Sequence, residues 1–302
     1  MLVSVCIATY QRRDKLKSLL KGLSQLKFEK IETPDLELII VDNDLSGSAK
    51  PVCEEFKTSF IGKLNYDIEQ NKGVTYARNR TIKNVSECSD FIAIIDDDEV
   101  PDSSWLEELL TVQSLYDADV VTGPVVPQFE EKNLPEWIVK GKFFEPLSKV
   151  TGSQMNVAFT NNVLIRSKIL QQLDQVFDDR LASTAAEDTH LFMRLHKAGY
   201  RIVWANEAIV RESIPASRTN VKWLVERAYW GWSSYSLFER ELYPSTKVQT
   251  IRFTKGCGLI TVGVLRIMPA MFQGKHTIIQ ELVNIYRGLG TLSGLFGIQG
   301  KW

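Results

Sequence analysis

Short apolar segments alternate with helix-like segments through residues 1–126, and this alternation constrains the fold more than any other feature of the chain. The apolar segments are bounded by turn residues and predict strands at 3–7, 36–41, 64–68, 91–95 and 120–126. Leucines at helical spacing in 16–26, and the segment 52–60 after Pro51, predict helices between them. Such alternation is typical of βαβ units, so we predict an α/β fold with a mostly parallel central sheet.

The fourth predicted strand runs directly into three aspartates, Asp96, Asp97 and Asp98. In open α/β sheets, ligands bind at the carboxyl edge of the strands. Adjacent carboxylates repel one another by roughly 1 kcal/mol per pair in water, so the cluster needs a counter-charge. Mg2+ or Mn2+ suits carboxylate oxygens, and a diphosphate can complete its shell. The alternative is a solvated acidic turn before the next helix, for which Ser104 and Glu107 predict a capping box.

The remainder of the chain changes character twice. Prolines among charged residues in 127–150 predict a partly irregular flap over the substrate. A helix at 187–198, a strand at 201–205 and an aromatic-rich helix at 220–240 follow. The aromatic side chains of that helix have three interpretations: core packing, stacking on sugar rings or contact with lipid. The last 50 residues combine dense apolar residues with recurrent glycines.

Five segments carry a family resemblance: 3–12 (VSVCIATYQR), 38–44 (LIIVDND), 71–80 (NKGVTYARNR), 91–98 (FIAIIDDD) and 186–200 (AEDTHLFMRLHKAGY). Their order and spacing resemble those of family 2 glycosyltransferases over residues 1 to about 240. The resemblance implies a nucleotide-binding domain of the GT-A kind. It also implies a nucleotide-sugar donor, in the first place a UDP-sugar, and a divalent metal, Mn2+ or Mg2+.

The resemblance also implies roles for individual residues. Asp98 is the metal ligand, and Asp96 lies toward the ribose. The predicted contacts of the donor nucleotide are Thr9, Tyr10, Arg12, Asp42, Asp44, Asn71, Gly73, Arg78, Asp96 and Asp97. Elementary chemistry supports part of this set, because Gly73 permits a tight turn and a helix N-terminus beside Arg78 offers positive potential.

Inversion at the anomeric carbon needs a base on the face opposite the leaving group. The resemblance assigns this role to Asp188 and gives Glu187 an orienting or acceptor-binding role. As an alternative, both are acidic first-turn residues that stabilise their helix. Some relatives carry a later histidine as a metal ligand, but this chain has Arg211-Glu212-Ser213 there, which leaves the third protein ligand open.

The predicted reaction is transfer of one sugar to an acceptor hydroxyl in polysaccharide or lipid-linked glycan biosynthesis. Processive relatives carry a Gln-x-x-Arg-Trp signature, which is absent from the corresponding segment 223–230. Two other classes stay open. A nucleotidyltransferase usually has a glycine-rich loop after its first strand, which 8–11 lacks, and a non-catalytic sugar-nucleotide scaffold would not need Asp188.

We predict a glycosyltransferase domain at 1–240, divided into a nucleotide-sugar half (1–126) and an acceptor half (127–240), followed by a helical C-terminal extension at 241–302. A net charge of -1 offers no general attraction for nucleic acid. Four dispersed cysteines predict free thiols in a reducing compartment, and 2–7 lacks the features of a signal peptide, so we expect a cytoplasmic protein. Residues 256–300 favour peripheral membrane contact, or alternatively a helical hairpin packed on the catalytic domain or a second subunit.

Overall fold

The structure is a computed structural model that describes residues 1–182, 184 and 186–300. Its strands are β1 (Leu2–Thr9), β2 (Asp35–Asp42), β3 (Lys63–Ile68), β4 (Phe91–Ile95), β5 (Glu99–Pro101), β6 (Val120–Thr122), β7 (Val125–Phe129), β8 (Gln154–Met155), β9 (Asn162–Arg166), β10 (Ile202–Trp204) and β11 (Val210–Ile214). Its helices are α1 (Arg13–Leu23), α2 (Lys50–Lys57), α3 (Val74–Lys83), α4 (Trp105–Tyr116), α5 (Glu136–Gly141), α6 (Ser167–Gln171), α7 (Glu187–Lys197), α8 (Val221–Leu242), α9 (Thr246–Ala270) and α10 (Lys275–Leu295).

The chain divides into two compact units. The first contains residues 1–126 and 146–212, and the second contains 127–145 together with the chain from Ser213 onward. The flap predicted at 127–150 therefore belongs largely to the second unit, where it forms the short helix α5. The functional division at residues 126 and 240 stays a prediction.

The first unit is built on an eight-stranded sheet of order β3-β2-β1-β4-β9-β6-β10-β8. Strands β3, β2, β1 and β4 are parallel neighbours. Strand β9 runs antiparallel to β4 and β6, and β8 runs antiparallel to β10. The prediction of an α/β fold around a central sheet is confirmed, with a mixed sheet whose leading strands are parallel. Because these strands are parallel, the chain leaves β1, β2 and β4 at one edge of the sheet.

Both faces of this sheet are buried at its centre, which explains why the central strand β4 (FIAII) is continuously apolar. Val3, Val5 and Ile7 of β1 contribute to one core, and the intervening Cys6 contributes to the other. The predicted leucine face of α1 packs in the first core, with its members Leu16, Leu19, Leu20 and Leu23 no more than 2% exposed. All four cysteines are free, but Cys88 is exposed.

Two local predictions are wrong. Among the residues that the structure describes, Ser104 makes no side-chain capping bond, and the Glu107 carboxylate accepts hydrogen bonds from the backbone N–H groups of Glu29 and Lys30 in the loop after α1. The capping-box pattern considers only residues at the start of the helix, whereas the donors to Glu107 come from a segment distant in sequence. The strand predicted at 120–126 is interrupted between β6 and β7, where the buried Asn162 amide donates to the Pro124 carbonyl at 3.0 Å.

Glycines determine how the helices of the second unit pack. A Cβ atom on Gly294 of α10 would lie 2.1 Å from the Ser233 carbonyl of α8, and one on Gly288 would lie 2.7 Å from the Gly256 carbonyl of α9. The backbones are too close for any larger residue, as in the small-residue interfaces of membrane helices. In the part of the chain that the structure describes, however, no helix combines the length and apolar character needed to cross a membrane.

The aromatic residues of α8 are partly used for packing within the second unit. Trp223 stacks on Phe144 with ring centroids 5.7 Å apart, and the Arg227 guanidinium lies 4.9 Å from the Trp223 centroid. Phe144 also meets Phe129 edge to face. Trp223 is therefore engaged by protein groups, as the core interpretation predicts.

Candidate active site

The end of β1 and the turn after it bring three predicted donor-site residues, Thr9, Tyr10 and Arg12, to the sheet edge. Thr9 is buried, and its hydroxyl donates to Asp97 Oδ2 at 2.7 Å. Tyr10 is 42% exposed, and the Lys72 ammonium lies 5.9 Å from its ring centroid. Gln11 has φ 54°, a value uncommon outside glycine, which turns the chain sharply toward Arg12. The turn thus presents one exposed ring and one guanidinium beside the acidic cluster.

Arg12 supplies the counter-charge that the aspartates require. Its Nη1 donates to Asp97 Oδ1 at 2.9 Å and to Asp98 Oδ2 at 3.2 Å. Burial raises the pKa of Asp97 to about 6, even though Arg12 and Thr9 favour the charged form. Burial disfavours the charge of Arg12, but attraction by Asp97 and Asp98 outweighs this effect and raises the pKa of Arg12. Asp97 therefore joins the β1 turn to the acidic strand end, while its nucleotide contact stays a prediction.

The end of β2 is organised by its own hydrogen bonds. Asp42 is fully buried, and its carboxylate accepts from the backbone N–H groups of Asp44 at 3.0 Å and Ala49 at 2.8 Å, and from the Tyr66 hydroxyl at 3.1 Å. Asp44 is about 9% exposed and accepts from Ser46, whose hydrogen bonds lower the pKa of Asp44. In this conformation Asp42 shapes the loop around α2 and offers no accessible surface to a nucleotide.

Asn43 shapes the predicted donor loop and was missed in the sequence. Its amide donates to the Asn71 carbonyl at 2.7 Å, and its carbonyl oxygen accepts from the Gly73 N–H at 2.8 Å. Gly73 has φ 143°, and a Cβ atom there would lie 3.0 Å from the Ala182 carbonyl. The position therefore requires glycine, as predicted. An Asn after a strand is too common a turn signal to have revealed this role.

Arg78 is not directed into open space at the donor site. Its Nη2 donates to Asp96 Oδ1 at 2.6 Å, and its Nη1 donates to Glu187 Oε1. The Arg78 side chain is 10% exposed and that of Glu187 is 0% exposed, whereas Asp96 keeps 35%. Of the two carboxylates that Arg78 pairs with, Glu187 therefore faces the protein interior, and Asp96 is the one that a ligand can reach.

Asp188 lies beside Glu187 at the first turn of α7 and is partly exposed. Burial and repulsion by Glu187 raise the pKa of Asp188 to about 7, against the attraction of Arg78. Its Oδ1 accepts from the backbone N–H of Thr189 at 2.5 Å. A carboxylate that titrates near neutral pH and reaches solvent has the properties of a general base.

Glu99 is a second residue that sequence reasoning left unassigned. It is 1% exposed in β5, directly opposite Glu212 of β11. Burial and repulsion by Asp96, Glu212 and Asp98 raise the pKa of Glu99 well above its usual range. One Glu99 oxygen accepts a hydrogen bond from the Asp96 N–H at 3.2 Å, so this side chain holds the backbone at the start of the acidic turn.

The carboxylates do not form an all-protein metal cage. Across residues 1–182, 184 and 186–300, no three Asp, Glu, His or Cys side chains are grouped so that they could hold an ion. Asp98, at the acidic turn beside Arg12, offers a carboxylate. The donor set therefore fits an ion that takes one carboxylate from the protein and its other ligands from phosphate and water, as Mg2+ commonly does.

Comparison with known proteins identifies the family. Residues 4–174 match the family described as Glycosyl transferase family 2, and residues 91–294 match Glycosyl transferase family group 2. The succinoglycan biosynthesis protein ExoM of Rhizobium meliloti is 29% identical over 227 residues, which cover 75% of this chain and 72% of that protein. The glucosyl-dolichyl phosphate glucuronosyltransferase of Haloferax volcanii is 25% identical over 302 residues, covering 95% of this chain and 92% of that protein.

The fold has a solved counterpart as well. The mannosyltransferase PcManGT from Pyrobaculum calidifontis, solved with GDP-Man and Mn2+, superposes with a TM-score of 0.64. The superposition covers 98% of this chain and 87% of that one at 14% sequence identity, so it supports the GT-A-type fold alone. The family match spans more than half of the chain and decides against a nucleotidyltransferase or a non-catalytic scaffold. The chain therefore belongs to glycosyltransferase family 2.

Proposed function

We propose that the protein transfers one sugar, with inversion, from a nucleotide-sugar donor to a hydroxyl of a glycan or lipid-linked acceptor. One observation carries the proposal. At a single edge of the sheet, the acidic turn after β4 meets the turn after β1 through Arg12, and meets the start of α7 through Arg78. Donor-binding chemistry and a base of suitable pKa are thereby joined in one compact unit.

The donor half of the site uses the exposed groups of this edge. The Tyr10 ring offers a stacking surface for the base, and the accessible Asp96 carboxylate offers an acceptor for ribose hydroxyls. A UDP-sugar is the donor to test first. The names of the two relatives, which concern succinoglycan and a dolichyl phosphate glycan, support a role in polysaccharide or lipid-linked glycan synthesis.

Asp98 would hold Mn2+ or Mg2+ together with the donor diphosphate. When bound, the ion supplies positive charge that stabilises the departing diphosphate. Arg12 adds a fixed positive charge on the same side, because it lies within hydrogen-bonding distance of Asp98.

Asp188 acts on the acceptor. In the proposed step, the acceptor oxygen forms a bond to the anomeric carbon while the bond from that carbon to the diphosphate oxygen breaks. The hydroxyl proton passes to the Asp188 carboxylate, and the electron pair of the broken bond leaves with the nucleoside diphosphate. The pKa of Asp188, at about 7, matches a base that works near neutral pH.

A thermal-shift screen of nucleotides and nucleotide sugars, with and without Mn2+, tests the donor and metal assignments. We expect one nucleotide to raise the Tm only when the metal is present, and Asp98→Ala to lose this metal-dependent shift. The exposed loop residue Asp174 provides a matched control, because Asp174→Asn should leave the shift unchanged. Stabilisation that is equal with and without metal in wild type would overturn the metal assignment.

We also propose that residues 256–300 bind an anionic membrane surface peripherally. Residues 256–300 contain three Lys or Arg and one Glu, a net charge of +2 in a chain whose total is -1. Along α9, the buried positions include Gly256, Gly263 and Ala270, while several large apolar side chains are exposed. Exposed fractions are 70% for Leu265, 73% for Met268 and 90% for Phe272. Exposed apolar residues beside positive charge suit a lipid surface with anionic headgroups.

Vesicle flotation tests this contact with the full chain. Wild type should float with phosphatidylglycerol-containing vesicles and not with neutral phosphatidylcholine, and a Leu265→Glu, Met268→Glu, Phe272→Glu variant should lose binding at least tenfold. Ile61→Glu, at a residue 95% exposed in the first unit, is the control and should float like wild type. Absence of flotation, together with a wild-type dimer that the triple variant abolishes, would assign the surface to a second copy of the chain.

A further inference from the structure

Stability alone does not explain why Arg78 and Glu187 form a buried ion pair. Glu187 is 0% exposed, and its Oε2 has no hydrogen-bond partner among the described residues. The Arg78 Nε is likewise buried without one within that part of the chain. Burying charges is costly, and an incompletely hydrogen-bonded buried pair repays little of that cost. The position of the pair in the fold offers another explanation for it.

That position lies between two functional elements. Arg78 stands on α3, and its two terminal nitrogens point to carboxylates on different elements, Asp96 after β4 and Glu187 at the start of α7. These carboxylates are 91 residues apart in sequence, so no local structure fixes their separation. Asp188 follows Glu187 directly and shares its helical turn.

We propose that Arg78 is a positioning residue that ties α7 to the acidic turn after β4 and thereby holds Asp188 in place relative to the bound donor. This inference rests on the proposed function, because it concerns how the proposed base is held. It gives Arg78 an indirect role instead of the donor contact that the family resemblance implies. Glu187 likewise acts through Arg78 and Asp188 instead of contacting the acceptor.

The charges around Asp188 give the proposal a distinctive signature. Glu187 and Asp96 repel the ionised Asp188 and raise its pKa, whereas Arg78 attracts it and lowers its pKa. Removing Arg78 should therefore make Asp188 a weaker acid, and removing the charge of Glu187 should make it a stronger one. Opposite shifts of the Asp188 pKa would show that both partners act on Asp188 itself, which a pair remote from the base would not do.

The test is the pH dependence of kcat for sugar transfer in Arg78→Met and Glu187→Gln. We expect the acidic limb of the profile to move up by about one pH unit or more in Arg78→Met and down by a similar amount in Glu187→Gln. Arg78→Lys, which keeps one charge, should lie between wild type and Arg78→Met. Arg80→Met is the control, because Arg80 is on the same helix and also pairs with a carboxylate, Asp67, at 2.6 Å. Its profile should match wild type.

The outcomes separate the two proposals. If wild type transfers no sugar from any nucleotide sugar, the proposed function fails. If wild type is active but the folded Arg78 and Glu187 variants keep the wild-type profile, the positioning role is refuted. Loss of donor binding in Arg78→Met without a shift of the profile would also refute it, since that result returns Arg78 to a direct donor contact. Should Arg78→Met not fold, the downward shift in Glu187→Gln decides alone.

Discussion

Replacing Asp188 with Asn should abolish transfer and stabilise the folded protein at the same time. A pKa raised from 3.8 to about 7 means that folding disfavours the ionised carboxylate. At 1.36 kcal/mol per pKa unit, the cost is on the order of 4 kcal/mol. This is an upper limit, because Asp188 is partly exposed and water screens its charge. We expect roughly 1–3 kcal/mol of stabilisation from Asp188→Asn above pH 7.

The direction in which the contribution of Asp188 to stability changes with pH follows from proton binding. Between pH 3.8 and about 7 the folded state binds the Asp188 proton more strongly than the unfolded state does, so this group's contribution to stability falls as pH rises. The penalty is complete above pH 7 and absent at pH values below the unfolded pKa. The Tm difference between Asp188→Asn and wild type should therefore be larger at pH 8 than at pH 5.

Thermal unfolding at pH 5 and pH 8, paired with a transfer assay at pH 8, checks both effects. The variant should show a Tm higher by a few degrees at pH 8 and no measurable transfer. Asp174→Asn, at an exposed loop position, should show neither effect. A variant that retains transfer, or whose Tm advantage does not grow with pH, would refute the assignment of Asp188 as a base of raised pKa.

Three further perturbations test the surrounding architecture. Arg12→Met leaves the carboxylates it pairs with less compensated, so we expect at least a tenfold loss of donor affinity, measured by titration calorimetry with Mn2+ present. Gly73→Ala places a side chain on a residue with φ 143° and should lower the free energy of unfolding, measured by chemical denaturation, by roughly 1–3 kcal/mol. Gly231→Ala is the control: this glycine faces open space within α8, so the substitution should raise the free energy of unfolding by about 0.5–1 kcal/mol in the same assay. Gly294→Ala should lower the Tm of the helical unit, followed by circular dichroism, because its Cβ would overlap a backbone carbonyl.

The sequence by itself determined the fold class and predicted where the candidate site lies. Periodicity predicted the leading strands and α1 because both faces of the sheet are buried at its centre, which leaves an apolar signal in the central strands. The acidic cluster had to lie at the carboxyl edge, since a strand followed by a crossover helix in a parallel sheet leaves no other place for it. The need for glycine at position 73 was also predictable, because it depends on backbone conformation alone.

The tertiary structure decided what each charged residue does. Arg78, Asp97 and Glu187 all belong to segments that resemble the family motifs, but their partners come from other elements and can be identified only when the chain is folded. Local patterns describe neighbours within about four residues, whereas the bond from Arg78 to Glu187 spans 109 positions. Burial and hydrogen bonding then differ from one aspartate to the next, so Asp42 is a hydrogen-bonded loop anchor, whereas burial and repulsion by Glu187 raise the pKa of Asp188, the proposed base. The identity of the residues limits the chemistry that is available, and the packing around each side chain decides which partners it has and how exposed it is.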